Sequence, residues 1–232
     1  MIPKIIHYCW LSDDPMPDSI LSYINGWKDK LSDYEFILWD RQRFDIDSVQ
    51  WVKEAFECKK YAFAADYIRL YAVYNYGGIY LDTDVEVLKS FDSLLHLPYF
   101  IGFEFNNNLL EAATFGAEKG MSWLKDCVDY YKGRTFIFPN GKMDTTVLPV
   151  IMKKVISQRY SIKAIQVIPE RYTDDISVFV KDYFSPKSFY SNKVEITSNT
   201  YSIHQFKTAW MPLSGKIYRN VKYYIKQLLY KI

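Results

Sequence analysis

Paired cysteines are absent from this chain of 232 residues. Cys9, Cys58 and Cys127 are odd in number, far apart and never in a Cys-x-x-Cys arrangement. They indicate neither a disulfide framework nor a cysteine zinc site. Reduced, mostly buried thiols fit the cytoplasm. No run approaches the roughly 20 apolar residues needed to cross a bilayer. Met1-Ile2-Pro3-Lys4 lacks the basic start and apolar stretch of a signal peptide. The expected location is therefore cytoplasmic, with any membrane association peripheral. There is no repeat, low-complexity tract or long linker, which favours one domain. Acid is missing from the C-terminal end: the last acidic residue is Glu195, and Lys207, Lys216, Arg219, Lys222, Lys226 and Lys231 follow it. The overall formal charge of +2 argues neither for nor against a nucleic-acid partner; none is expected, because no aromatic-basic motif of the RNA-binding modules occurs.

Apolar residues are plentiful. At 49% of the chain they suffice for a substantial core, and the aromatic share of 18% is high. Residues 4–10 read as a buried strand. Pro17-Asp18-Ser19 has helix-start chemistry, with Ile20, Tyr23, Ile24 and Trp27 at helical spacing. Residues 35–39 form a second strand, so the chain opens as an α/β domain. Asp47-Ser48 is placed to cap a short helix ending near residue 58. Residues 61–76 predict a longer helix stopped by Gly77-Gly78. A strand over 79–88 follows, with further strands at 99–105, 112–116, 165–168, 178–180 and 201–204, and helices at 122–131 and 145–155. Asp144 sits where it could cap the last of these helices.

The strand over 79–88 carries Asp82 and Asp84. In a continuous strand, carboxylates two apart project to one side. Two charges beside an apolar strand need compensation. A hard divalent cation would supply it and keep positions open for phosphate oxygens. It would also neutralise charge on a departing diphosphate. Asp-x-Asp by itself is common on solvated strand ends. Here, however, Asp66 and Arg69 lie three apart on a helix whose other residues over 62–70 are nearly all apolar.

Ala64-Ala65-Asp66-Tyr67-Ile68-Arg69-Leu70 followed by Tyr76-Gly77-Gly78-Ile79-Tyr80-Leu81-Asp82-Thr83-Asp84 resembles the DXD-containing sugar-binding region of glycosyltransferase family 32. That family includes bacterial capsule-synthesis enzymes and yeast-type mannosyltransferases, with clostridial glucosylating toxins as distant relatives. The stretch 2–10, Tyr183-Phe184-Ser185-Pro186 and 200–204 with Trp210 resemble its first strand and C-terminal signature. Relatives usually carry Ser at the position of Ala209, a departure that removes one expected hydroxyl unless Thr208 supplies it.

The resemblance implies a GT-A type single Rossmann-like domain with a mixed sheet over 1–213. It implies a metal-dependent, retaining transfer of a hexose, galactose or glucose ahead of mannose, from a UDP-sugar. The cofactor is Mn²⁺ or Mg²⁺, held by Asp82, Asp84 and His204, with phosphate contact and a structural role as the other readings of His204. Asp66, Arg69 and Asp144 stand at the reacting sugar, with Glu104 a further carboxylate candidate. Trp10, Tyr80, Asp82 and Trp210 contact the nucleotide donor. Core packing explains Trp10 equally well and is the commoner role for an aromatic placed like Tyr80, and plain capping explains Asp144 equally well. His7 and His96 read as structural.

Over 214–232, Ile217, Val221, Tyr224, Ile225, Leu228 and Ile232 recur at helical spacing beside Arg219, Lys222 and Lys226. Such a basic amphipathic helix suits an anionic membrane surface or packs on the domain. Membrane docking would suit a lipid-linked glycan acceptor of the kind used in bacterial capsule or surface-polysaccharide assembly. Two other functions compete. A haloacid-dehalogenase-like phosphatase also uses Asp-x-Asp after an apolar strand. Its motif normally opens the domain, however, and Glu86 stands where it needs Thr or Val. A non-catalytic nucleotide-sugar-binding module is disfavoured by the intact Asp66, Arg69, Asp82 and Asp84 set.

Overall fold

A computed structural model describes residues 1–104, 108–172, 174–189 and 191–207. The fold is built on a mixed seven-stranded sheet. Its strands are β1 (Ile5–Cys9), β2 (Glu35–Trp39), β3 (Gly78–Leu81), β5 (Tyr99–Phe103), β6 (Leu110–Ala117), β7 (Ile162–Ile165) and β8 (Ile176–Phe179). Their order across the sheet is β2-β1-β3-β6-β5-β8-β7. Strands β2, β1 and β3 run parallel, β6 is antiparallel to both β3 and β5, and β5, β8 and β7 are parallel. A two-stranded antiparallel ribbon pairs β4 (Val85–Val87) with β9 (Ser202–His204). The mixed α/β architecture expected from the sequence is therefore present among the described residues. The helix expected over 214–232, together with Trp210, lies outside the described residues.

Helices cover both faces of the sheet, giving two apolar clusters. One face packs Trp51, Ile68, Leu70, Trp123 and Ile151 from α2 (Gln50–Glu57), α3 (Tyr61–Tyr76), α4 (Ser122–Asp129) and α5 (Leu148–Ile156). The other packs Ile20, Ile24 and Trp27 of α1 (Asp18–Lys30) against Ile6, Ile79, Phe100 and Phe184. The indole N–H of Trp27 donates to the Val85 carbonyl at 2.7 Å, so the core and the acidic segment share a fixed point.

Helix α3 sets the position of the site. Its alanines bring the backbone close to the sheet, and burial extends to Asp66 and Arg69. It stops where expected. Gly77 adopts φ +69°, and its N–H donates to Val73 O. A side chain on Gly78 would bring its Cβ to 2.7 Å from Ile5 O, so only glycine lets β3 enter beside β1 there. His7 closes the same corner. Its Nε2 lies 2.8 Å from Gly77 O, while Trp39 Nε1–H donates to its Nδ1 at 3.1 Å. These partners assign the proton to Nε2. Burial pushes the ring down to about 4, as a neutral structural histidine requires.

Several elements differ from their sequence expectations. The strand over 79–88 is two strands, β3 and β4, separated by a turn. Val85 and Val87 continue the apolar alternation of β3, but they belong to the ribbon with β9. The helix expected over 145–155 begins at Leu148, with Val147 at its N-cap and Pro149 in its first turn. Asp144 therefore caps no helix; its Oδ1 accepts the Thr146 N–H at 3.1 Å in a local turn. Asp47-Ser48 sits in a short 3₁₀ turn capped by Asp45, and α2 starts later, at Gln50.

Candidate active site

The parallel strands β2, β1 and β3 end side by side, which is where open α/β sheets bind ligands. At the end of β3 the chain turns. Asp82 N–H donates to Ala113 O on β6 at 2.9 Å, and Val85 N–H donates to Asp82 O at 2.9 Å. Asp82 and Asp84 therefore face one space because of this turn. The pleat of a continuous strand, expected from the sequence, does not place them there.

Arg69 reaches this turn from α3. Its Nη1 donates to Asp82 Oδ2 at 3.0 Å and to Ala112 O at 2.9 Å, while Nη2 lies 3.2 Å from Asp66 Oδ1. The guanidinium also lies 4.7 Å from the centre of the Tyr80 ring. Burial opposes its charge, but Asp82 and Asp66 outweigh that cost and hold it protonated. Burial pushes the Asp66 carboxyl up to about 7; Arg69 opposes the shift and Asp82 adds to it. Tyr80 is buried, and its hydroxyl donates to Asp82 Oδ1 at 2.9 Å. It meets the site through both Asp82 and Arg69.

The third element arrives from far along the chain. Strand β9 pairs with β4 and sets His204 opposite Val85. Asp82, Asp84 and His204 then each offer a ligand atom within 4.8 Å of one another. His204 Nε2 is 3.7 Å from Asp84 Oδ1. The other Asp84 oxygen accepts the backbone N–H of Lys207 at 2.7 Å, which ties the segment after β9 to the acidic turn. Burial lowers the imidazole's proton affinity, but the Glu111 and Asp84 carboxylates outweigh it and push His204 up to about 10.

The surroundings are rich in buried acid. Glu111 on β6 is 1% exposed, and its Oε1 lies 3.3 Å from His204 Nδ1. Glu104, just beyond β5, is pushed up to about 7 by burial and by the Glu111 carboxylate, with His204 opposing. Among the described residues, carboxylates thus outnumber the cationic groups Arg69 and His204 here. Two carboxylates and an imidazole form a donor set suited to Mn²⁺ or Mg²⁺. The residues therefore fit the divalent cation expected from the sequence.

Sequence reading missed Glu111, whose only local signal was one acid in the apolar run Leu110-Glu111-Ala112-Ala113. Trp10 follows β1 at the same pole as the acidic turn, half-buried, with its indole N–H donating to Asp14 O at 2.9 Å. Asp144 is buried, and its backbone N–H donates to Phe136 O at 2.7 Å.

Residues 17–101 match the family described as glycosyltransferase sugar-binding region containing DXD motif. That span holds Asp66, Arg69, Asp82 and Asp84, while Glu111 and His204 lie beyond it. Inositol phosphoceramide mannosyltransferase 3 of Schizosaccharomyces pombe is 34% identical over 104 residues, 43% of this chain and 29% of that protein. The chain thus spans under a third of that relative's length. An uncharacterized glycosyltransferase of Acanthamoeba polyphaga mimivirus is 24% identical over 224 residues, covering 91% of this chain and 85% of its own. Among solved structures, a glycosyltransferase involved in glycosylation of the major capsid of PBCV-1 superposes with TM-score 0.52. It shares 11% identity over 94% of this chain and 98% of its own, which shows a common fold. The fold is thus shared with that glycosyltransferase, and residues 17–101 match the DXD sugar-binding region, as the resemblance to glycosyltransferase family 32 led us to expect.

Proposed function

We propose that this DXD-type glycosyltransferase chain transfers a hexose from a nucleotide sugar with the help of Mn²⁺ or Mg²⁺, and that Asp82, Asp84 and His204 hold the cation. The convergence of those three side chains beside the buried Arg69 carries the reading. A cation there would neutralise charge on the departing diphosphate. Asp66 and Arg69 would hold the hydroxyls of the transferring sugar, Arg69 through a fork already fixed by Asp82, Asp66 and Ala112 O. Trp10 and Trp210 would flank the nucleotide, with Tyr80 keeping Asp82 in place, and Asp144 would stand near the reacting carbon.

The first choice of donor is UDP-galactose or UDP-glucose, from resemblance to capsule enzymes and toxins. A mannosyl donor is the second reading, favoured by identity to a named inositol phosphoceramide mannosyltransferase. We infer retention of anomeric configuration, with attack from the face the diphosphate leaves. The acceptor is proposed to be a lipid-linked glycan of capsule or surface-polysaccharide assembly, reached at the inner face of the cell membrane. The five basic and no acidic residues over 216–232 support that placement. No helix among the described residues is long and apolar enough to cross a membrane.

One experiment tests the core of this reading. Nucleotide release is measured from UDP-galactose, UDP-glucose and GDP-mannose, each with Mn²⁺, Mg²⁺ or chelator. Cation-dependent release of UDP is expected. Preference for GDP-mannose would replace the donor, and release unaffected by chelation would overturn the metal role.

A further inference from the structure

Glu111 takes no part in the transfer just outlined, yet it is the most deeply buried carboxylate at the site. It lies on β6, where all eight residues are buried. A carboxylate held there at 1% exposure is costly without a partner. His204 is that partner, and its two ring nitrogens face different carboxylates. Nε2 lies 3.7 Å from Asp84 Oδ1, and Nδ1 lies 3.3 Å from Glu111 Oε1.

Glu111 is itself anchored. Its Oε1 accepts the Ala113 N–H at 2.7 Å, and Ala113 O accepts the Asp82 N–H at 2.9 Å. Ala112 O, between them, takes Arg69 Nη1 at 2.9 Å. Three successive residues of β6 therefore fix the imidazole, the guanidinium and the acidic turn relative to one another. Glu111 Oε2 and His204 Nδ1 are both buried without a hydrogen-bond partner, so the carboxylate keeps an open acceptor and the ring an open nitrogen on the side that faces Glu111.

We propose that Glu111 is a positioning residue for the cation site: its carboxylate holds His204 with the proton on Nδ1, leaving the Nε2 lone pair for a divalent ion beside Asp82 and Asp84. The chemistry is general. A ligating imidazole must be neutral, and a carboxylate on its far nitrogen fixes both tautomer and ring plane. Any proton on Nε2 leaves to solvent as the ion binds. The inference rests on the reading of Asp82, Asp84 and His204 as cation ligands, and the test separates the two.

Mn²⁺ binding to the full chain is titrated by the electron-resonance signal of the free ion, for the parent, Glu111→Gln and Asp84→Asn. Glu111→Gln is expected to weaken binding by about 10- to 100-fold. Asp84→Asn is expected to remove it. Binding by Glu111→Gln within about twofold of the parent, while Asp84→Asn loses the ion, overturns the proposal and keeps the site. Parent-like binding by Asp84→Asn overturns both. A second measurement needs no variant: ¹⁵N spectra of the three histidines with saturating Mg²⁺. The Nδ1–H tautomer is expected at His204. An Nε2–H tautomer there overturns the proposal even if Glu111→Gln fails to fold.

Discussion

Arg69 Nη1 and Asp82 Oδ2 meet at 3.0 Å, joining the middle of α3 to the turn that follows β3. This contact ties two successive segments of the chain into one site, and it does so with a nearly buried charge. Arg69 is 5% exposed and Asp66 9%. Their attraction compensates desolvation more than it adds net stability.

Removing one partner should therefore cost more than the ion pairs contribute. Arg69→Met leaves Asp66 and Asp82 without their common cation, and a loss of about 3–5 kcal/mol is expected. Urea unfolding measures it. Asp66→Asn added to Arg69→Met should recover part of the loss. A single mutant as stable as the parent would show that water, rather than Arg69, compensates these carboxylates.

Asp84→Asn separates fold from chemistry. The amide oxygen can still accept the Lys207 N–H, so the segment after β9 keeps its tether. The charge facing His204 is lost. The melting temperature should change little. Mn²⁺ affinity and nucleotide release should each fall by more than about 100-fold. Retained activity at saturating donor would remove Asp84 from the cation site.

His7 predicts a pH dependence of stability. Its folded value of about 4 lies below the ordinary 6.5. Between those values the unfolded chain binds the proton and the native chain does not. The His7 contribution is thus complete above about pH 6.5 and is lost as pH falls toward 4, by about 3 kcal/mol in all. His7→Gln keeps a donor for Gly77 O and removes the titration. The stability advantage of the parent over this variant should be larger at pH 7 than at pH 4. An advantage independent of pH would mean that His7 is charged or solvated in the native state.

Local physics made the opening of the fold legible. The strand at 5–9, α1, the second strand and the glycine stop after α3 follow from apolar periodicity and from residues whose backbone preferences are strong. Asp66, Arg69, Asp82 and Asp84 were legible as polar exceptions in apolar elements. What was not legible depends on pairing across the chain. Val85 and Val87 look like a continuation of β3 until β9, more than a hundred residues later, claims them. Glu111 looks like one acid in a strand until His204 is brought 3.3 Å from it. Asp144 has the chemistry of a helix cap, yet Pro149 in the first turn of α5 fits a start at Leu148 and leaves the aspartate to a turn of its own. Spacing along the chain could locate the first half of the site. The half supplied by β6 and β9 required the sheet.

Asp66 offers the sharpest test, because its two expected effects have opposite signs. Burial pushes the carboxyl up to about 7 from an ordinary value near 3.8. Between those values the native chain binds the proton and the unfolded chain does not. Stability from this group therefore falls as pH rises from about 4 to 7, opposite to His7 over much of the same range. The parent's pH profile alone would hide both, so each is read as a difference between parent and variant. Asp66→Asn cannot ionise and keeps an oxygen facing Arg69. Without cation, it should be more stable than the parent at pH 8, with the gap closing toward pH 4. Transfer should nonetheless fall, on the order of 100-fold, because a neutral amide at this position no longer sets the sugar hydroxyls as the carboxylate does. A residue that merely supports the fold would lose stability and activity together. Gaining one while losing the other is what a functional carboxylate, held in the apolar interior at a cost to the fold, should do. Melting curves and nucleotide release on the same preparations, at pH 4, 6 and 8, would decide it. A destabilised but active Asp66→Asn would return Asp66 to the core.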